Sequence, residues 1–280
     1  MATASVYAKR GILLRLIYLV FAACWYALTL CGRISRCPLI VLYYHGIPAG
    51  MRDKFDWQIQ KLSKWKSPTS CTGSKCREGI YRGVHVTFDD AFANLIDNAL
   101  PVLENYKVPA TIFAVADNLG CLPRWEMPDG HPELTEMTMT TEQLLAVSKN
   151  PLFRIGSHTM THPYLAKIRP DQLKKELIDS KLRLEQLLGN PIEDLALPFG
   201  SYNQEVFRTA REAGYKRIYT VDAKTVNPMS EEPVMGRFSM SPDVWKIEFI
   251  LTCAGAYSWL FRVRKLCHLF LKHRFFYARA

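Results

Sequence analysis

Apolar positions along the chain fall into two alternating kinds of run. The first kind is short, β-rich and bounded by glycine, proline or charge. PLIVLYYHGI (38–47), GVHVTF (83–88), PATIFAVA (109–116), FRIGSH (153–158), DLALPFG (194–200) and YKRIYTVD (215–222) each predict a buried strand. A late strand is expected at MGRFSM (235–240). The second kind repeats at helical spacing. In FDWQIQKLSKW (55–65), Phe55, Ile59 and Leu62 share one face. FANLIDNALPVLENYK (92–107) reads as a helix that Pro101 kinks or restarts. TTEQLLAVSKN (140–150) opens on a capping-box pattern. RPDQLKKELIDSKLRLEQLLG (169–189) places Leu173, Leu177, Leu184, Leu187 and Leu188 on one side and stops at a glycine. NQEVFRTAREAG (203–214) completes the set. Strands alternating with helices predict parallel pairing through βαβ crossovers, in a barrel or a wound sheet. Residues 66–83 and 117–140 lack periodicity. The first reads as a loop, the second as an excursion over the surface.

The two ends depart from this alternation. LIYLVFAACWYALTLC (16–31) carries no charge. Its sixteen residues span about 24 Å as a helix, and adding residues 11–14 approaches the roughly 30 Å of a bilayer core. With no small-x-small cleavage site, residues 1–37 are expected to form a single uncleaved membrane anchor, of the bacterial inner-membrane kind. A buried core helix is the alternative. Lys9 and Arg10 on one flank and Arg33 and Arg36 on the other leave the orientation open. At the far end, WLFRVRKLCHLFLKHRFFYARA (259–280) interleaves aromatic and basic residues without an acid. Residues 246–280 are therefore expected to be a basic amphipathic tail at a membrane interface, or a helix packed on the domain.

Charge sharpens this division. The formal charge is +10, but residues 1–52 and 249–280 hold six basic residues each and no acid. The remaining 24 basic residues face 26 acids in 53–248, a net of −2. A nearly neutral body argues against a nucleic-acid groove. Basic ends instead suit an anionic membrane surface. The eight cysteines show no metal-finger spacing. Cys71 and Cys76 would close a small disulfide in an oxidising compartment, or remain free thiols.

Three polar clusters stand at the expected C-terminal ends of strands, where parallel α/β domains gather function. They are Asp89–Asp90 after HVTF, His158 and His162 in GSHTMTH, and His45 in YYHG. Two histidines four residues apart on a helical turn present both rings to one cation. Two imidazoles and a carboxylate form an open hydrolytic metal site. That gives paired aspartates a use. One binds the ion, and its neighbour stays ionised and takes a proton from water that the ion acidifies.

TFDDA, SHTMTH and LPFG, in this order and at these separations, resemble the polysaccharide deacetylases of carbohydrate esterase family 4. The resemblance covers roughly residues 38–244, and YYHGIP with FDWQIQKL resembles the opening of some members. It implies a distorted (β/α) barrel, usually seven-stranded, as a catalytic domain over 38–245. It implies a divalent ion, commonly zinc, on Asp90, His158 and His162, with Asp89 as general base. LALPFGSY would supply a backbone N–H for an oxyanion and a sugar-facing aromatic through Pro198, Phe199 and Gly200. The expected activity is metal-dependent removal of N-acetyl groups from a polysaccharide, such as an exopolysaccharide, or from a lipid-linked saccharide at the membrane. Removal of a formyl group from a lipid-linked amino sugar and a catalytically silent carbohydrate-binding scaffold are the alternatives.

The chain departs from the family pattern in three places. Ala91 replaces glycine in TFDDG, which is tolerated unless that position needs positive φ. Ala196 stands where many members carry a base-orienting arginine, a role Arg237 in MGRFSM would take from another direction. The late Leu-x-x-His that supplies a general acid is missing. His268 and His273 lie in the tail without the required leucine, which leaves His45 as the candidate acid.

Overall fold

In a computed structural model of the chain, residues 11–30, 39–64, 83–226, 234–261 and 263 are described. The 66–82 part of the predicted loop, with Cys71 and Cys76, lies outside them, as do most of the basic tail and His268 and His273.

Among the described residues eight strands build one parallel sheet: β1 (Leu39–Tyr44), β2 (Gly83–Phe88), β3 (Ala110–Ala114), β4 (Phe153–Ser157), β5 (Asp194–Ala196), β6 (Arg217–Tyr219), β7 (Val234–Met235) and β8 (Phe238–Ser239). Their order is β7-β6-β5-β4-β3-β2-β1-β8, so β7 and β8 occupy opposite edges. Only Gly236 and Arg237 separate them in sequence. Three Cα steps reach about 11 Å at most. The sheet must therefore curl until its edges approach, giving a curled half-barrel with Gly236 and Arg237 at the seam. Seven strands were expected and eight are present among the described residues, because the late strand at MGRFSM divides there into two short pieces that pair with different neighbours. Gly236 is needed at this crossing, since a Cβ would lie 2.6 Å from the Asp222 carbonyl oxygen.

Alternation along the strands makes two cores. Leu39 and Val41 of β1 join Phe113, Ala196 and Tyr219 inside the curl. Ile40, Leu42 and Tyr44 point the other way, into the layer shared with the helices. That layer is formed by α2 (Arg52–Lys64), α3 (Asn94–Asn98), α4 (Leu100–Tyr106), α5 (Thr141–Ser148), α6 (Pro170–Leu188) and α7 (Gln204–Glu212). The expected end signals operate. Pro101 restarts the chain as α4, Thr140 and Gln143 form a capping box on α5, and Gly189 ends α6 in the left-handed conformation. Leu173, Leu177, Leu184 and Leu188 are the buried stripe of α6.

The flanking helices are α1 (Ile12–Leu30), which precedes β1, and α8 (Lys246–Cys253), which follows β8. Phe249, Leu251 and Cys253 of α8, with Ala256 and Tyr257, are buried in the main core. Arg15 of α1 holds Glu248 of α8 through both carboxylate oxygens, with an Nε–Oε1 distance of 2.7 Å, and lies 4.0 Å over the Trp245 ring. Among the described residues no helix is long and apolar enough to cross a membrane. The expected span is not found, and α1 lies against the domain.

Candidate active site

The carboxyl ends of β1, β2, β4 and β5 meet at one end of the curl. Asp89 directly follows β2, and its N–H donates to the Tyr44 carbonyl at the end of β1 (2.9 Å). This register sets His45, the residue after β1, level with Asp89, the residue after β2. Asp90 and Ala91 then take positive φ values of 68° and 50°. In that turn the Asp89 carboxylate meets Arg237 and the Asp90 carboxylate faces His158 and His162. The Ala91 position does require a left-handed backbone, so its methyl group is carried at roughly 1–2 kcal/mol.

The two aspartates have opposite surroundings. Arg237, wholly buried, donates to Asp89 Oδ1 at 2.6 Å and to Oδ2 at 2.9 Å. It also donates to the Thr220 carbonyl and to Thr87 Oγ1, and its guanidinium carbon stands 4.6 Å over the Tyr43 ring. Burial alone would push the Asp89 carboxyl up. The Arg237 charge and hydrogen bonds outweigh it and hold Asp89 at about 2. Among the described residues no lysine or arginine is paired with Asp90. Burial raises it to about 8, helped by the charges of Asp89 and Glu133 and opposed by His45. Adjacent residues are thereby split into an ionised carboxylate and one that lacks compensation.

His158 and His162 converge on the second of these. His158 Nε2 and His162 Nε2 lie 3.6 and 3.5 Å from Asp90 Oδ1, and the three ligand atoms all fall within 4.8 Å of one another. The four-residue spacing works by another route than the expected helical turn. Residues 158–162 form an irregular loop with positive φ at Thr159 (69°) and His162 (64°). Thr159 Oγ1 accepts the His162 N–H (3.1 Å), and Glu176 of α6 accepts the Met160 and Thr161 N–H groups (2.9 Å each). His158 Nδ1 lies 2.9 Å from the Ala196 carbonyl. A carbonyl only accepts, so Nδ1 carries the proton and Nε2 keeps its lone pair towards Asp90. Burial lowers His158 to about 4 and holds His162 well below its ordinary value, which leaves both rings neutral at neutral pH.

These residues fit a divalent cation. Asp90 Oδ1 is buried with no hydrogen-bond partner among the described residues, between two neutral imidazoles whose nitrogens face it. Two nitrogens and one oxygen suit zinc and its neighbours.

The remaining candidates surround this centre. Phe199, in a one-turn 3-10 segment with φ 55°, is 37% exposed and meets His162 edge to face at 4.6 Å. Tyr164 stacks on it at 4.0 Å. Pro198 is buried, and Gly200 has φ 61° where a Cβ would meet Val221 Cγ2 at 2.2 Å. His45 is half-buried. Burial disfavours its charge, but Glu133, Asp90 and Asp89 together shift it upward.

Two contributors come from the segment read as a surface excursion. Trp125 is buried against the His162 ring at 4.6 Å, and buried Glu133 accepts the Gly46 N–H at 3.3 Å. The segment folds back through a bridge between Phe92 and Thr138 and covers the site. Its lack of periodicity concealed this; Trp125, the one tryptophan of residues 117–140, was the available signal, and nothing in the sequence set Glu133 apart from the four other acids there.

Comparison with known proteins gives the family and the fold. Residues 78–218 match the model of the polysaccharide deacetylase family. The chain is 25% identical over 207 residues to a poly-beta-1,6-N-acetyl-D-glucosamine N-deacetylase of Staphylococcus aureus, covering 68% of each. Among solved structures, IcaB from Ammonifex degensii superposes with a TM-score of 0.66 at 22% identity, over 79% of this chain and 97% of that one. The Streptococcus pyogenes deacetylase PplD, solved with acetate, gives 0.61 at 22% identity, over 79% and 99%. At these identities the solved structures speak for the fold, and the matched segment, which holds the aspartate pair, both histidines and LPFG, places the chain in the polysaccharide deacetylase family.

Proposed function

We propose that this chain removes N-acetyl groups from a poly-N-acetylglucosamine type of exopolysaccharide. One observation carries the reading: the Asp90, His158 and His162 cluster stands beside a carboxylate, Asp89, that Arg237 keeps ionised. A silent binding module has no use for such a split pair. The acetyl group and the polymer class rest on the name of the Staphylococcus aureus relative.

A divalent cation on Asp90, His158 and His162 would polarise the amide carbonyl and acidify water next to it. Asp89 takes the proton from the attacking water, and Arg237 holds both of its oxygens in place. The Phe199 N–H donates to the oxygen on which charge develops, and its ring offers the sugar an apolar face. His45, shifted upward by the surrounding carboxylates, gives a proton to the nitrogen as the carbon–nitrogen bond breaks. Acetate and a free amino sugar leave.

Acetate release from a panel of N-acetylated oligosaccharides tests this. Turnover is expected on β-1,6-linked N-acetylglucosamine oligomers and is expected to stop with chelator. Formate release from N-formylated analogues at a higher rate would overturn the acetyl assignment.

Glu133 gives a second test. Among the groups that raise His45, its charge is the largest influence. Glu133→Gln is expected to lower the His45 pKa, so the alkaline limb of the kcat/KM profile moves to lower pH while the acidic limb stays. An unmoved alkaline limb would remove His45 from the acid role.

A further inference from the structure

Among the residues of α1 whose side chains are described, Ile12 to Leu28, no exposed position is polar. From Ile12 to Leu28 its exposed positions are Ile12, Leu13, Leu14, Leu16, Ile17, Val20, Phe21, Ala23, Cys24, Ala27 and Leu28. Leu13 is 71% and Val20 62% exposed. The inward side is committed to the domain: Arg15 binds Glu248 and lies over Trp245, Tyr18 stacks on Trp259 at 5.4 Å, and Ala22 is fully buried. Ile247 and Ile250 of α8 are likewise exposed. A continuous apolar face of this kind is not stable against water and marks an interaction surface.

We propose that this face docks on an anionic lipid bilayer, with α1 lying in the plane of the membrane and clamped to the catalytic domain. A helix surrounded by lipid across a bilayer needs about 20 residues clear of the protein. Arg15 and Tyr18 are instead tied to α8 and Trp259, and Ala22 is buried in the core. Charge selects lipid over a second copy of the chain. In sequence Lys9 and Arg10 stand one residue before the helix, Arg262, Arg264 and Lys265 follow Trp259 closely, and residues 249–280 contain no acid. A two-fold pair would bring the same basic ends together without an acidic partner. Phosphate headgroups supply the opposite charge.

The test is flotation of the full chain with phosphatidylcholine vesicles, with and without phosphatidylglycerol, in parallel with sedimentation to read its mass. The comparison variant is Leu13→Gln, Ile17→Gln, Val20→Gln, which changes only the outward side and no active-site residue. The wild-type chain is expected to float with the anionic vesicles, less with neutral ones, and the variant at least tenfold less. Both should release acetate from soluble oligosaccharide at equal rates, which separates membrane docking from folding and from the deacetylase reading. An epitope tag at the N-terminus, added to vesicle-bound protein, should be cut by external protease whenever the catalytic domain is accessible. Three results would each overturn the proposal: unchanged flotation of the variant, a tag protected inside the vesicles as in a spanning helix, or a wild-type dimer that the variant converts to monomer without any lipid binding.

Discussion

Asp89→Asn is expected to lower kcat by about 10²–10⁴-fold, the range over which general bases act, while metal affinity stays near that of the wild type. The two consequences separate because adjacent aspartates have different partners. Asp89 faces Arg237, whereas Asp90 faces both histidines. An asparagine keeps the shape and a hydrogen-bond acceptor but cannot take a proton from water. It also leaves the buried Arg237 guanidinium without its counter-charge. Breaking such a pair costs about 3–5 kcal/mol, so a lower melting temperature accompanies the loss of rate. Rates should therefore be compared well below that temperature. Wild-type turnover in a folded Asp89→Asn protein would refute the base assignment.

Arg237→Met tests the same pair from the other side, with a different signature. Methionine is long enough to fill much of the space within the curl but carries no charge. Asp89 would lose two charge-assisted hydrogen bonds, and burial, already its largest influence, would push it up unopposed. The base is then protonated at pH values where the wild-type carboxylate, held at about 2, is ionised. The acidic limb of kcat/KM is expected to move to higher pH, with activity partly recovered on the alkaline side. Stability shifts in the same direction. A depressed carboxyl contributes stability above its ordinary value of 3.8 and loses it as pH falls towards about 2, and the variant lacks that contribution. Arg237→Lys should fall between, since an ammonium cannot span both oxygens. An acidic limb that stays in place would mean that Arg237 serves packing alone.

Much of this site was legible because the relevant residues sit at the ends of regular elements. TFDDA and GSHTMTH follow buried strands, so parallel pairing brings Asp89, Asp90, His158 and His162 to one end of the sheet whatever the details of the turns. Arg237 was harder to weigh. Its importance comes from a seam that local pattern does not reveal: two strands two residues apart in sequence lie on opposite edges of the sheet. The eighth strand escaped for the same reason, since two-residue strands carry no periodicity. Glu133 and Trp125 reach the centre only because their loop folds back through Phe92 and Thr138. The helical turn expected between the two histidines was replaced by left-handed residues at Thr159 and His162, stabilised by Glu176 from α6. Those contacts are tertiary, and no spacing rule contains them. The apolar N-terminal stretch was correctly read as a helix. What a hydropathy pattern could not supply was Glu248, the partner that ties Arg15 to the domain.

The most direct measurement is the rate of acetate release by the chelator-treated full chain as zinc is titrated back, read beside metal content for the wild type, Asp89→Asn and His158→Ala. One equivalent of zinc should restore the wild-type rate, bind to Asp89→Asn without restoring turnover, and fail to bind His158→Ala. Undiminished acetate release after chelation, or wild-type zinc affinity in His158→Ala, would contradict the assignment of Asp90, His158 and His162 as the seat of the cation.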